Sequence, residues 1–276
     1  MASGVLTMTA RAAASRTRAA LSTLLLAAVC AVGVAAYLYP FLLADAPESS
    51  VNPRSGDAPL LFALVLSLAL LLFVAELTRT GMNAKVVSLL AVVTVAAAAL
   101  RVPALPAGAT GVFFMGIVAG YVFGPRLGFL VGAGALFVSS FVVGGFGPWL
   151  PFQIFSTGWV GMTSGWLGLA LQRPMRGHGR LELVLLAAFA GGWGMAFGAI
   201  TNLWFWPYVA QGDSISWQAG MGLGEAVSHY WSFYLLTSAG WDVWRAIGNV
   251  VLVLAVGRPV LDLLTRYRDR FQVRFD

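Results

Sequence analysis

Three side-chain amides and one acid–base pair stand out in a chain that is otherwise strongly apolar. Gln153, Asn202 and Asn249 lie in or beside hydrophobic segments. Asp242 and Arg245 are three residues apart, so a helix would place them on one face, where they can pair. A buried amide costs free energy unless another helix or a ligand satisfies it. These side chains are therefore candidates for contact with a polar organic molecule, and mutual neutralisation or helix–helix bonding is the alternative.

Tryptophans accompany these polar residues along the chain. The stretch GGFGPWLPFQ ends at Gln153, and further tryptophans lie near the other amides; the set is Trp149, Trp159, Trp204, Trp206 and Trp241. An aromatic pocket with a few convergent amides suits a small or medium organic ligand. Trp and Tyr also favour the membrane–water interface, so an aromatic belt with tight turns is the alternative. We predict that these aromatic and amide side chains converge on an outward-facing pocket.

Other kinds of chemistry find no support in the sequence. No G-x-x-x-x-G-K-[ST] motif occurs, which argues against a nucleotide-binding P-loop. No H-E-x-x-H motif occurs, and His178 and His229 are predicted on opposite sides of the membrane, so we expect no metal site and no cofactor. Ser164-Gly165 lacks the G-x-S-G context of intramembrane serine proteases, and Cys30 is the single cysteine, so no internal disulfide forms. We expect no catalytic residues and no enzymatic activity.

The composition indicates an integral membrane protein. Of 276 residues, 59% are hydrophobic and only 10% are charged, against about 25% in a soluble domain. Such a chain cannot cover a water-facing surface, so its net charge of +6 reflects orientation in a bilayer and indicates no nucleic-acid partner. Strands of a β-barrel would alternate apolar and polar residues, and runs such as LLFALVLSLALLLFVAEL do not. The predicted fold class is all-α.

Apolar segments predict eight membrane helices. They cover residues 20–43, 59–77, 84–102, 108–123, 127–143, 153–171, 181–206 and 232–257. The first could instead be a signal peptide, but its long apolar run favours a retained helix. With this count, 14 of the 17 basic residues lie on one side of the membrane, which predicts that this side and both termini are cytoplasmic. Residues 259–276 form a short basic tail, predicted to be amphipathic and attracted to anionic lipid.

Glycines recur at four-residue spacing in the middle of the chain. The series comprises Gly116, Gly120, Gly124, Gly128 and Gly132, and the same spacing relates Gly161 to Gly165 and Gly194 to Gly198. Because lipid provides no hydrophobic drive between helices, such spacing lets them approach closely. We expect most of these glycines to serve helix packing.

The run GYVFGPRLGFLVGAGALFVSSFVVGGFGPWLPFQIFSTGWVGMTSGWLG resembles the substrate-binding (S) components of energy-coupling factor (ECF) vitamin transporters, as does WDVWRAIGNVVLVLAVGRPVLDLL. The FGP turn, the GPW-x-P-[FW]-Q loop and the RA-x-x-N helix carry this resemblance. It begins near Lys85 and covers about two thirds of the chain. It implies a six-helix core over residues 84–258, preceded by residues 1–83 with two extra transmembrane helices and followed by the tail 259–276.

The resemblance also implies the partners and the site. A vitamin would be captured outside the cell, and a membrane coupling (T) protein with two ATPases would supply the energy for its delivery. The residues that match the family's ligand-binding positions are Trp149, Gln153, Asn202, Trp206, Asp242 and Asn249, and Trp159 lies on the same part of the chain. The first core helix of the family offers an Ala-x-x-x-Ala face to the coupling protein, and the nearest match here is Ala84, Ser88 and Ala91.

The sequence does not decide which of several vitamins or precursors is the substrate. The GPW-x-P-Q pattern most resembles members linked to cobalamin or other corrinoids, whose amide-rich rim suits tryptophans and side-chain amides. Thiamine precursors and queuosine precursors would suit the same side chains. An alternative from another class is a membrane scaffold or assembly protein, whose glycine-rich helices bind other helices and no small ligand.

Overall fold

The computed structural model describes residues 2–42, 54, 56–80, 84–103, 110–171, 179–208 and 214–270. Its α-helices, in chain order, are α1 (Ala2–Leu38), α2 (Ala58–Thr80), α3 (Ala84–Ala99), α4 (Val112–Phe123), α5 (Pro125–Val143), α6 (Leu150–Leu171), α7 (Gly179–Asn202), α8 (Leu223–Thr237) and α9 (Ala239–Arg270). Short 3₁₀ helices cover Tyr39–Leu42 and Trp206–Tyr208. The described chain is thus helical without strands, as predicted. Several residues named above lie outside the described ranges: the loop residues 104–109, His178, and the basic residues Arg173, Arg176 and Arg274.

Five stretches are long and apolar enough to span a membrane, and α3 and α4 are shorter apolar helices. The five are Thr17–Leu42, Ala58–Arg79, Pro125–Val143, Gly179–Tyr208 and Ala239–Arg270. Many of their large apolar side chains, such as Leu70, Phe141 and Leu254, are exposed at the protein surface, which suits contact with lipid. The chain is an integral membrane protein.

The bundle is built around α4, in which every residue is buried. Helices α5 and α6 pack closely on α4 and on each other, α7 packs along α9, and α3 lies against α4 and α5. The hairpin of α1 and α2 lies against α5 and α6. We call the end with Trp149 and Trp206 the tryptophan end and the end with Arg79, Arg126 and Arg258 the arginine end.

The glycine spacing produces the close approach that it predicts. A Cβ atom on Gly128 would lie 2.2 Å from the carbonyl oxygen of Gly161, and one on Gly161 would lie 2.0 Å from that of Gly128. No L side chain fits at either position without moving a backbone. Helices α5 and α6 therefore meet backbone to backbone, and α4 joins them through Gly120, whose Cβ would also meet Gly161.

The prediction of one helix over residues 232–257 was wrong in its first part. Helix α8 ends at Thr237 and α9 begins at Ala239, so the long loop predicted for 206–231 contains the first half of α8. The Ser238 hydroxyl accepts a hydrogen bond from Asn202 Nδ2 at 2.6 Å. Ser238 itself has non-helical backbone angles, φ −130° and ψ −30°, and therefore separates the two helices. Helix α9 then runs without interruption through Pro259 to Arg270, into the predicted basic tail.

A buried carboxylate attaches the α1–α2 hairpin to the core at the arginine end. Glu76 on α2 is 1% exposed and bonds Ser22 on α1. It also pairs with Arg79 at 3.0 Å and with Arg126, at the start of α5, at 3.5 Å. Arg126 Nη2 donates to Thr23 Oγ1 at 2.6 Å, so one network of charges joins α1, α2 and α5.

We expect Glu76→Gln to lower the free energy of unfolding by roughly 3 kcal/mol, because removing one partner leaves the other buried charges uncompensated. Thermal unfolding of the purified variant measures the loss. Glu225→Gln is the control, since Glu225 is exposed on α8. Equal midpoints for the two variants would show that the network adds no stability.

Candidate functional site

Asp242 lies at the interface of α7 and α9, near the tryptophan end. It is 2% exposed and pairs with Arg245, whose guanidinium group also lies 5.3 Å from the Phe197 ring centre. A Cβ atom on Gly198 would overlap the carboxylate, so this glycine on α7 makes room for the acid. Oxygen Oδ2 is buried without a well-formed hydrogen bond to any described residue, although Tyr234 of α8 lies near the carboxylate.

Asn249 lies on the same face of α9, seven residues further along. It is fully buried, and its Nδ2 donates to the Ala190 carbonyl oxygen of α7 at 3.3 Å. Its Oδ1 is buried and has no hydrogen-bond partner among the described residues. With a helical rise of 1.5 Å per residue, Asp242 and Asn249 are about 10 Å apart along the helix axis. The α7–α9 interface thus holds two buried acceptor oxygens, one above the other, that receive no well-formed hydrogen bond from the described residues.

Asn202 closes the same interface at the end of α7. It is 9% exposed, and its bond to Ser238 ties the end of α7 to the junction of α8 and α9. The structure therefore brings three of the predicted polar residues, Asn202, Asp242 and Asn249, to one interface.

Trp206 is packed in an aromatic cluster beside this interface. It is 3% exposed, its indole N–H donates to the Ile215 carbonyl oxygen at 2.9 Å, and its ring lies 5.0 Å from that of Tyr230 and 5.7 Å from that of Phe41. Phe41 belongs to the 3₁₀ helix after α1, so the N-terminal extension contributes to the cluster. Trp206 thus belongs to the interior packing of the tryptophan end, and its indole N–H already bonds the Ile215 carbonyl oxygen.

Trp159 faces the extension. Its ring lies 5.9 Å from that of Tyr37 on α1, and Gly33 leaves the space against which the indole packs. The Tyr37 hydroxyl donates to the Phe152 carbonyl oxygen and bonds Ser156, both at 2.9 Å. The structure does not bring Trp159 to the α7–α9 polar residues, because α1 covers that side of α6.

Trp149 and Gln153 form the accessible part of the tryptophan end. Gly144 ends α5 at φ 65°, a left-handed conformation that glycine adopts without strain. The Trp149 ring folds back onto Gly147, where a Cβ atom would lie 2.3 Å from it, and remains 37% exposed. Gln153 follows one turn later and is half-buried. The stretch GGFGPWLPFQ is therefore a compact turn that presents one tryptophan and one amide at the start of α6.

Arg101 supports this turn from the end of α3. Its Nη1 donates to Ser139 Oγ at 3.0 Å, and its guanidinium group lies 3.5 Å from the position of a Cβ on Gly145. Burial lowers the pKa of the Arg101 guanidinium group.

Sequence reasoning missed Arg54, the residue that holds the extension over α6. It is 5% exposed, lies 4.3 Å from the Phe152 ring centre and 4.7 Å from that of Tyr39, and bonds Asp57 at 2.8 Å. Its Nη1 donates to the Ala36 carbonyl oxygen at 2.7 Å. The one available signal was an arginine placed on the side of the membrane that has few basic residues.

The sequence of this bundle matches a family model. Residues 76–257 match the model of the ECF transporter substrate-specific component, which is about two thirds of the chain. The chain belongs to this family. Searches of curated proteins and of solved structures gave no match. The match begins at Glu76, near the end of α2, so α1 and most of α2 precede the matched region of this S component.

Membership places the protein among the substrate-binding subunits of ECF transporters, which are transport proteins and not enzymes. Among the described residues, no three His, Cys, Asp or Glu side chains lie close enough together to hold a metal ion. All seven predicted substrate-binding residues fall within the matched region.

The predicted partner face of the S component lies on α3. Ala84, Ser88 and Ala91 are exposed, and the Ser88 hydroxyl donates to the Ala84 carbonyl oxygen at 2.8 Å, so it is satisfied within its helix. A face of small side chains with no free polar group allows another helix to approach closely in lipid.

Proposed function

We propose that this S component binds a vitamin or related micronutrient at the tryptophan end, against the α7–α9 interface, and that its best candidate is cobalamin or another corrinoid. The observation that carries the proposal is a pair of buried acceptor oxygens, Asp242 Oδ2 and Asn249 Oδ1, neither of which receives a well-formed hydrogen bond from a described residue. Leaving such an atom unsatisfied costs about 1–3 kcal/mol, so a ligand that donates to both would recover that cost. Corrinoid side-chain amides carry suitable N–H donors, as do smaller heterocycles.

The tryptophan end faces outward in this proposal. Arginines concentrate at the other end of the bundle, and basic residues favour the cytoplasmic side of a membrane. Both termini are then cytoplasmic, and Trp149 and Gln153 stand at the entrance from outside, where Trp149 is accessible. A ligand would meet these two side chains before it reached the buried oxygens.

Delivery depends on partners. We propose that α3, through Ala84, Ser88 and Ala91, contacts a coupling T protein that associates with two ATPases. The chain has no P-loop of its own, and the buried ion pair between α7 and α9 near the tryptophan end, Asp242–Arg245, has its two charges matched. Energy from nucleotide hydrolysis would therefore come from the partners.

The internal contacts of the glycines argue against a scaffold that binds other helices and no ligand. Gly128 and Gly161 contact each other inside the chain, and Gly194 contacts the Ala246 backbone of α9. Glycines that a scaffold would offer to foreign helices are thus engaged in the internal packing of this bundle.

Thermal unfolding of the purified protein with a panel of vitamins and precursors tests the proposal. A ligand stabilises the state that it binds, by about 2.7 kcal/mol at one hundred times its Kd. We expect one compound class, with corrinoids first, to raise the unfolding midpoint at micromolar concentration. A panel in which no compound raises it would favour the scaffold.

Trp149→Ala and Gln153→Ala are expected to weaken uptake while the protein inserts normally. Each side chain is at least partly accessible, so its loss removes a substrate contact without opening the core. Removing one such contact would lower affinity about tenfold. Uptake of the radiolabelled vitamin in cells that contain the partners measures this, with Trp166→Ala as control, since Trp166 is exposed elsewhere on α6. Unchanged uptake in both variants would place the binding pocket elsewhere.

A further inference from the structure

An apolar groove lies between α2 and α3, with α5 as its floor. The cavity measures about 400 Å³ and is lined almost entirely by hydrocarbon side chains from these three helices. The one hydroxyl in its wall, that of Thr94, donates to the Leu90 carbonyl oxygen at 2.8 Å, so it offers no free donor to an occupant. The wall residues include Phe73, Val87, Leu90, Leu130, Phe137 and Val138. The groove lies away from the polar residues of α7 and α9.

The groove is one leaflet deep. Along α5 it extends from Leu127 to Val138, which at 1.5 Å per residue is about 16 Å. The hydrocarbon core of a bilayer is about 30 Å thick, so this is roughly half of it. The groove begins at the arginine end, because Leu127 follows Arg126 directly and Val87 lies two residues after Lys85. Its length suits a hydrocarbon chain that enters from that side and ends near the bilayer centre.

Each of the three helices has a basic residue at the end of the bundle where the groove begins. Arg79 ends α2, Lys85 begins α3 and is exposed, and Arg126 begins α5. Glu76 is the carboxylate among them, and it already pairs with Arg79 and Arg126. Three positive charges face one negative charge, and this excess favours an anionic headgroup at the membrane surface.

From the apolar lining, the depth of one leaflet and the basic residues at that end together, we infer that the groove binds an anionic phospholipid. One acyl chain lies between α2 and α3 against α5, and the phosphate lies beside Lys85, Arg79 and Arg126. The lipid fills the space between the N-terminal hairpin and the first core helix. This role is separate from substrate capture.

Lipid retention by the purified full-length chain tests the inference. Phosphatidylglycerol and phosphatidylcholine with identical acyl chains are added in detergent, and bound lipid is counted by native mass spectrometry. We expect one phosphatidylglycerol per chain to be retained preferentially. Lys85→Gln should reduce that preference about fivefold, whereas Arg180→Gln, which removes an exposed charge at the start of α7, should leave it unchanged.

Variants that fill the groove test whether an acyl chain occupies it. Ala69→Phe places a ring inside the cavity and should remove most of the retained phosphatidylglycerol, whereas Ala63→Phe, on the exposed face of α2, should retain it. If Ala69→Phe does not yield monodisperse protein, Leu66→Trp fills the same space. Equal retention of both lipids by the unaltered chain would overturn the inference. So would a phosphatidylglycerol preference that survives groove filling, or a photoreactive residue at position 70 that crosslinks to a polypeptide and not to lipid.

Discussion

Asn249→Leu is expected to weaken substrate binding about 10- to 100-fold while the protein folds as well as the unaltered chain. Leucine has the branched shape and the same number of side-chain heavy atoms as asparagine, and it removes the buried Oδ1, which has no hydrogen-bond partner among the described residues. The Ala190 carbonyl oxygen loses the 3.3 Å bond from Asn249 but lies inside α7, where it also accepts the helical backbone hydrogen bond. The stability of the free protein therefore changes little, whereas the bound ligand loses an acceptor for one of its N–H or O–H groups.

Two measurements separate these effects. Thermal unfolding without ligand reports folding, and equilibrium binding of the compound identified in the vitamin panel reports affinity. Ser164→Ala is the matched control, because Ser164 is also buried but bonds the Ile117 carbonyl oxygen between α6 and α4, away from α9. Unaltered affinity in Asn249→Leu would show that this oxygen does not touch the substrate.

Gly128→Val is expected to prevent folding of the bundle. The Cβ would meet the Gly161 carbonyl group at 2.2 Å, and neither backbone can move without separating α5 from α6. Overpacking of a tight core commonly costs 1–3 kcal/mol, and a clash with backbone exceeds about 4 kcal/mol. We expect little or no monodisperse protein after extraction from the membrane.

Gly192→Val provides the comparison. Gly192 lies in α7, is exposed, and has no atom within 4 Å of the position of its Cβ, so valine there should be tolerated. Size-exclusion yield and the unfolding midpoint compare the two variants. A monodisperse Gly128→Val protein with a midpoint near that of Gly192→Val would contradict the packing described for α5 and α6.

The helices and their close packing could be predicted because both depend on local patterns. Apolar runs of membrane length gave the eight segments, and glycines at four-residue spacing gave the close approach of α5 to α6. The break at Ser238 could not be predicted in the same way. Residues 232–257 are mostly apolar and contain no proline, and the C-cap residue of α8, Ser238, is bonded by Asn202, which lies 36 residues earlier.

The sequence predicted which polar residues lie together only in part, and their role in binding stays a prediction. Asn202, Asp242 and Asn249 do meet at one interface, since all three lie on the facing sides of α7 and α9. Trp159 does not join them, because a tryptophan that lines a pocket and one that packs against a neighbouring helix have the same sequence signature. The contacts that decide the difference come from Tyr37 and Gly33, in an extension for which the sequence gave no role.

The packing of the N-terminal extension was the feature hardest to predict from the sequence. From sequence, Arg54 is a basic residue between two predicted helices, on the side of the membrane where basic residues are few. In the fold it is buried against Phe152 and paired with Asp57. A cation in such a place requires a partner and an aromatic face to be brought together by the fold.

Solute retention by vesicles containing the chain alone tests the account most directly. Radiolabelled vitamin is supplied outside, and the amount held per chain is measured over time with and without ATP. We predict retention that saturates at one molecule per chain, is unaffected by ATP and is lost in Asn249→Leu. Accumulation above that stoichiometry against a gradient, without the coupling protein and the ATPases, would contradict the account.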